Sequence, residues 1–192
     1  KKFLQPPAQR LFRAKRNGNG FEIAPEENKP APKYALLGAR SCEIHAIAAQ
    51  DKVFLGGQFV DPFYKSRREN LFIIAINCGQ AGGTCFCASM NTGPKATFGY
   101  DLALTEVLRD GQHFFTVEIG TDRGGELLRG LPHQEAVPQQ KNTAEKIVIE
   151  TARHMGRTMD PTGIKELLYR NYENPRWNNV AERCLTCANC TM

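Results

Sequence analysis

Three cysteines close this sequence at C-x-x-C-x-x-C spacing: Cys184, Cys187 and Cys190, in the run Cys184-Leu185-Thr186-Cys187-Ala188-Asn189-Cys190. That spacing opens the bacterial-ferredoxin run C-x2-C-x2-C-x3-C-P, whose thiolates hold iron–sulfur clusters. A tight loop of this kind turns three sulfurs inward onto three corners of one cubane and aims backbone N–H groups at its sulfides. The next cysteine of such a run falls at position 194, past Met192, and Lys1 is not an initiating methionine, so a chain truncated at both ends is expected. The competing chemistry is zinc. Zinc sites usually carry two separated C-x2-C pairs, or one pair with histidines, and no second pair at such spacing is present.

A second group of thiols lies in the first half of the chain. Asn77-Cys78-Gly79-Gln80-Ala81-Gly82-Gly83-Thr84-Cys85-Phe86-Cys87 holds three cysteines in one glycine-rich loop. Glycine lets the backbone approach closely and offers unhindered N–H donors to a polyanionic cluster. Cys42 stands at an expected helix N-terminus, where the helix dipole favours a thiolate. If the strands before these two loops are neighbours, Cys42 joins Cys78, Cys85 and Cys87, and the four are expected to hold a [4Fe–4S] cluster of irregular spacing. The bland alternative is a set of structural cysteines in a core. His45, one turn from Cys42, is the alternative fourth ligand. His113, His133 and His154 have no partners at ligand spacing.

Composition sets bounds on the rest. An odd count of seven clustered cysteines argues against a secreted disulfide framework and for metal chemistry in a reducing cytoplasm. The hydrophobic fraction of 41% and charged fraction of 23% are those of an ordinary globular protein, and no apolar run reaches the ~18 residues of a membrane span. The net charge of +5 is interleaved with acidic residues and implies no nucleic-acid partner. Gly56-Gly57 and Gly124-Gly125 match neither a dinucleotide nor a phosphate-loop pattern. Nothing resembles an activated nucleophile, so no catalytic residue is assigned.

The elements that must position the thiols are legible in outline. A short hairpin is expected around Asn17-Gly18-Asn19-Gly20. The apolar runs Tyr34–Gly38 and Leu71–Ile76 read as strands, with a helix capped by Ser41 between them, its face carrying Ile44, Ile47 and Ala48. Arg67 and Arg68 read as a solvated face before the second strand. Continuous apolar strands around a helix suggest a small parallel sheet, which places sites at the strands' carboxyl ends. Asp101–Val107 and Phe114–Ile119, joined at Arg109-Asp110-Gly111, read as a β-hairpin. Helical patterns follow: Ala144, Ile147, Val148, Thr151, Ala152 and Met155 share one face. A second helix starts at Asp160-Pro161, with Ile164, Leu167 and Leu168 as its stripe. Trp177, Val180, Ala181 and Cys184 share a third face, with Trp177 as a core anchor. The expected fold is thus α+β or α/β: a small, mostly parallel sheet with a β-hairpin, then a helical segment leading into an incomplete ferredoxin-like module. Three regions are expected: an α/β domain over 1–123, a helical linker over 124–183, and the start of a dicluster module over 184–192.

Several blocks carry a family resemblance. Gly38-Ala39-Arg40-Ser41-Cys42-Glu43-Ile44-His45-Ala46-Ile47 is similar to a block in the iron–sulfur beta subunits of cytosolic sulfhydrogenases (group 3 nickel–iron hydrogenases) and in the related iron–sulfur component of anaerobic sulfite reductases. So are Asp61-Pro62-Phe63-Tyr64 with Arg67-Arg68-Glu69-Asn70, Asn77-Cys78 with Cys85-Phe86-Cys87, Gly99 through Thr105, and Trp177 through Cys190; Phe3-Leu4-Gln5-Pro6-Pro7 resembles an internal segment. The resemblance implies an electron-transfer component of an oxidoreductase complex, relaying electrons through [4Fe–4S] clusters. It implies a flavin-containing partner subunit and a separate catalytic subunit. It also implies a C-terminal dicluster module, of which only Cys184, Cys187 and Cys190 are present. The rival reading from another class is a zinc-thiolate binding or scaffold module without a redox role.

Overall fold

The two continuous apolar runs form the middle of a sheet. The computed structural model describes residues 3–24, 30–109 and 111–186. Its four-stranded sheet has the order β3 (Tyr34–Ala39), β4 (Leu71–Ile76), β5 (Leu102–Arg109), β6 (Gln112–Ile119). β3 pairs parallel with β4, β4 pairs parallel with β5, and β5 pairs antiparallel with β6. This is the expected mixture of a mostly parallel sheet and a hairpin, although Asp110 of the turn lies outside the described residues. The N-terminal hairpin also forms, as β1 (Arg13–Asn17) and β2 (Gly20–Ala24), with Gly18 at φ +57° in its two-residue turn.

A parallel pair needs a crossover, and α1 (Ser41–Phe54) supplies it between β3 and β4. Ser41 is the first helical residue rather than the cap. Arg40 occupies the cap position, and the Glu43 carboxylate accepts from its backbone N–H at 2.8 Å while pairing with its guanidinium at 3.0 Å. That carboxylate in the first turn also answers the helix dipole. Gly38 makes the entry to this turn: at φ +87° it occupies the left-handed region, where β3 slips register against β4 between Leu37 and Ala39.

A second helix, α2 (Pro62–Glu69), replaces the solvated stretch expected before β4. Asp61 caps it, accepting from the N–H groups of Phe63 and Tyr64 at 2.9 and 3.0 Å, with Pro62 as the first helical residue. Arg68 is not simply solvated. It is partly buried against Asp51 of α1 at 3.1 Å, and the Tyr64 hydroxyl donates to the same carboxylate at 2.6 Å. Burial, followed by the hydrogen bond to Asp51, holds the Tyr64 phenol above its ordinary pKa. The core lies between these helices and one face of the sheet: Ile44 and Tyr64 meet Leu71, Ile73, Ala75 and Ala103.

Two further helices continue the domain: α3 (Asp122–Arg129), which packs along β6, and α4 (Pro138–Arg153), which packs along β5 and β6. Ala144, Val148 and Thr151 form the buried stripe of α4, as their spacing predicts. Met155, assigned to the same face, lies past the end of the helix. The last pair differs from expectation. α5 (Ile164–Arg170) begins after Gly163, while Asp160 instead forms a local turn, accepting from Thr162 N–H at 2.9 Å. α6 (Arg176–Glu182) buries none of its residues, and Trp177 is 41% exposed, its indole N–H donating to Asn171 O at 2.7 Å. Trp177 therefore anchors the α5–α6 connection and not the core. Of the residues expected on one helical face, Trp177, Val180 and Ala181 lie within α6 and Cys184 past its end, and among the described residues nothing buries them.

Candidate metal centre

Both parallel strands deliver cysteines from their carboxyl ends. β3 runs through Gly38 into the first turn of α1, where Cys42 is the second helical residue. β4 runs into Asn77 and Cys78. The loop that follows is irregular, folded on its own turns: Cys85 N–H donates to Gly82 O at 3.0 Å, and Thr92 and Met90 N–H donate to Cys87 O at 2.9 and 3.2 Å.

The base of the loop is held by Asn77, which is 1% exposed. Its amide donates to Thr105 Oγ1 at 2.9 Å and accepts from Ala96 N–H at 2.7 Å, while its backbone N–H donates to Leu104 O at 2.8 Å. A buried amide with both ends satisfied thereby ties the entry and the exit of the loop to β5. Asp101 does comparable work one step before β5. Its carboxylate accepts from Ile73 N–H at 2.8 Å, from the Thr121 hydroxyl at 2.6 Å and from Arg123 at 3.0 Å. Neither residue stood out as structural by its spacing; each follows or precedes a buried strand, which is the only signal it gave.

Cys42, Cys78, Cys85 and Cys87 are near enough to act on one another. Burial first, and then the neighbouring thiols of Cys42, Cys87 and Cys85, push the Cys78 thiol up; Arg40 opposes this. Burial likewise pushes Cys87 up, followed by Cys42 and Cys85. Close backbone approach is visible at two glycines. A Cβ on Gly93 would stand 3.1 Å from Cys87 Sγ and 3.4 Å from Ser41 Cβ, so Cys87 lies against the start of α1. A Cβ on Gly82 would stand 3.5 Å from Cys85 Sγ. Among the described residues, no three His, Cys, Asp or Glu side chains converge on a position for a single metal ion.

The remaining expected ligands are placed differently. His45 packs edge-on against Phe98, with ring centroids 4.8 Å apart. Cys184 follows the end of α6 and is exposed; its sulfur accepts from Thr186 N–H at 3.4 Å. Cys187 and Cys190 lie outside the described residues. Beside Cys78 a cavity of about 740 Å³ opens between the strand ends and α4, lined by Arg40, Gln80, Glu106, Arg109 and His154 among others. Arg109 and Glu150 pair at 3.2 Å on its rim, and the Glu106 carboxylate lies 2.9 Å from a ring nitrogen of His113. Among the described residues no helix is long and apolar enough to cross a membrane.

No protein-family model and no solved structure matches the chain. It is 30% identical over 194 aligned residues to the Sulfhydrogenase 2 subunit beta of Pyrococcus furiosus, an alignment that takes in 100% of this chain and 54% of that protein. The chain thus spans about half the length of the curated relative it matches. Along its whole length, the chain is similar to about half of that subunit.

Proposed function

We propose that this chain is an electron-transfer component of a multi-subunit oxidoreductase. In this reading Cys42, Cys78, Cys85 and Cys87 hold one [4Fe–4S] cluster, and Cys184, Cys187 and Cys190 supply three ligands of another. The partners are a flavin-containing subunit on one side and a catalytic subunit of hydrogenase or sulfite-reductase type on the other, in the cytoplasm. This chain itself carries no substrate chemistry.

What supports the reading is that two neighbouring parallel strands lead, at their carboxyl ends, into Cys42 and into the glycine-rich loop that carries Cys78, Cys85 and Cys87. Thiolates around a single tetrahedral zinc stand about 3.8 Å apart, given Zn–S bonds of ~2.3 Å. The ligands of a cubane each bind a different iron and stand farther apart. Cys42, Cys85 and Cys87 stand within electrostatic range of Cys78, a looser grouping that leaves room for the larger group. Similarity to a hydrogenase beta subunit supports the redox assignment over the zinc scaffold.

A bound cluster supplies a one-electron carrier. The chain's own residues do the rest. Gly82 and Gly93 keep side chains away from Cys85 and Cys87. Partial burial of Cys78 and Cys87 limits water at their sulfurs. The Arg40 guanidinium lies within electrostatic reach of Cys42 and Cys78, with its charge shared by the Glu43 carboxylate it pairs with.

The test is an anaerobic reductive titration of the purified chain, with metal analysis on the same sample. A brown protein that bleaches on taking up about one electron per cluster, and recovers its colour on reoxidation, is expected. A colourless protein carrying stoichiometric zinc and taking up no electrons contradicts the proposal and favours the scaffold.

A further inference from the structure

The far half of the cysteine loop is held by a segment from a distant part of the chain. Past the end of α4, residues Met155 to Met159 cross over the loop and make a series of ties to it. Arg157 N–H donates to Cys85 O at 2.9 Å. Met159 N–H donates to Ser89 Oγ at 3.1 Å. Met155 Sδ lies 4.0 Å from Cys87 Sγ. Between these ties, Gly156 lies directly on the glycine pair of the loop: a Cβ there would stand 2.5 Å from the carbonyl oxygens of both Gly82 and Gly83. Real side chains do not approach backbone oxygen so closely, so this contact requires glycine at position 156 of the crossing segment.

We infer that Met155–Met159 is a clasp that holds the Cys85 and Cys87 thiolates in position for the cluster, with Gly156 as its positioning residue. The inference rests on Cys85 and Cys87 being cluster ligands. Each tie falls on a candidate ligand residue or within two residues of one. The loop has no strand or helix of its own to fix those sulfurs, and its own backbone hydrogen bonds around Cys85 and Cys87 span at most five residues. The clasp supplies long-range fixing, at sequence separations of 68 and 70 residues for the Met155 and Met159 ties. The Met155 thioether also covers the Cys87 sulfur with a polarisable, apolar neighbour, which lowers local water access and so tunes the cluster's spectrum and potential. The same segment is the covalent root of the α5–α6 arm that ends at Cys184.

The test uses the full chain with Cys184, Cys187 and Cys190 all changed to serine, so that only the loop cluster is read. Gly156→Ala in this parent forces the clasp off Gly82 and Gly83. Iron release to a chelator is expected to accelerate at least about tenfold, because the Arg157 and Met159 hydrogen bonds go together. The EPR line shape of the reduced sample is expected to change, while the thermal transition of the metal-free protein stays cooperative. Met155→Leu, close in volume, is expected to keep the iron count and still alter the EPR signal. A Gly156→Ala protein with the parent's EPR signal and release rate overturns the inference and leaves the cluster assignment standing. A parent that binds no iron sinks the cluster reading and takes the clasp with it. If Gly156→Ala loses its cooperative transition, Ser89→Ala decides: about fivefold faster iron release is expected for the loss of one hydrogen bond, and an unchanged rate overturns the inference.

Discussion

Asp101→Ala is expected to destabilise the fold by about 3 kcal/mol, the largest stability effect of any single side chain outside the apolar core. Asp101 is only 3% exposed, and its carboxylate stands in for a missing stretch of ladder between β4 and β5. Its backbone N–H donates to Ile73 O at 2.8 Å while its side chain accepts from Ile73 N–H, so the pair continues the parallel ladder one residue beyond Leu102. The other carboxylate oxygen takes the hydroxyl of Thr121, which caps α3, and the guanidinium of Arg123. Alanine leaves the Ile73 N–H buried without a partner and frees the start of α3. Arg123 is half exposed and keeps Leu71 O at 3.0 Å, so its charge is not stranded, and the loss stays short of a broken buried ion pair. Asp101→Asn retains an acceptor for Ile73 and is expected to lose less than half as much. Urea unfolding of the two variants against the wild type checks this, and equal midpoints for wild type and Asp101→Ala contradict it.

Asn77→Ala is expected to lower stability by about 2–3 kcal/mol and, with it, to abolish metal loading of the loop. The amide answers two buried groups at once, the Ala96 N–H and the Thr105 hydroxyl, and Ala96 is 1% exposed. Removing it orphans the Ala96 N–H, leaves a small cavity, and unties the exit of the loop from β5. Asn77→Asp offers a gentler comparison. It still accepts from Ala96 N–H, and Thr105 can turn its hydroxyl to donate, at the cost of burying a charge. Iron per chain alongside urea unfolding checks both variants. An Asn77→Ala protein that is destabilised but loads iron normally would show that the base of the loop plays no part in placing the sulfurs.

Strands and crossovers were legible in the sequence because a strand covered on both faces, fully on one and partly on the other, writes itself as an unbroken apolar run, as Leu71–Ile76 does. The N-terminal hairpin was legible through the Asn17-Gly18-Asn19-Gly20 run at its turn. The buried stripe of α4 was legible through its spacing. The helices α5 and α6 were legible in the same way, but not their exposure, because periodicity tells which residues share a face and not whether anything covers it. α2 was obscured by its shortness and its charge, although Asp61-Pro62 is an ordinary cap-and-proline start. The cysteines of the loop were legible by residue type. The groups that hold that loop are of a different kind: a single buried amide at Asn77, and backbone donors at Arg157 and Met159. Backbone hydrogen bonds across some seventy residues leave no mark on residue type, except for the glycine required at position 156.

Whether Cys42, Cys78, Cys85 and Cys87 serve one cluster is tested most directly by iron and acid-labile sulfide per chain. The comparison is between the full chain with Cys184, Cys187 and Cys190 changed to serine and the same chain with Cys42→Ala added, both purified anaerobically and measured by EPR after reduction. About four iron and four sulfide in the first, with a signal lost in the second, is the predicted result. Iron and an unchanged signal surviving Cys42→Ala would contradict it, because the cluster would then take its fourth ligand from elsewhere.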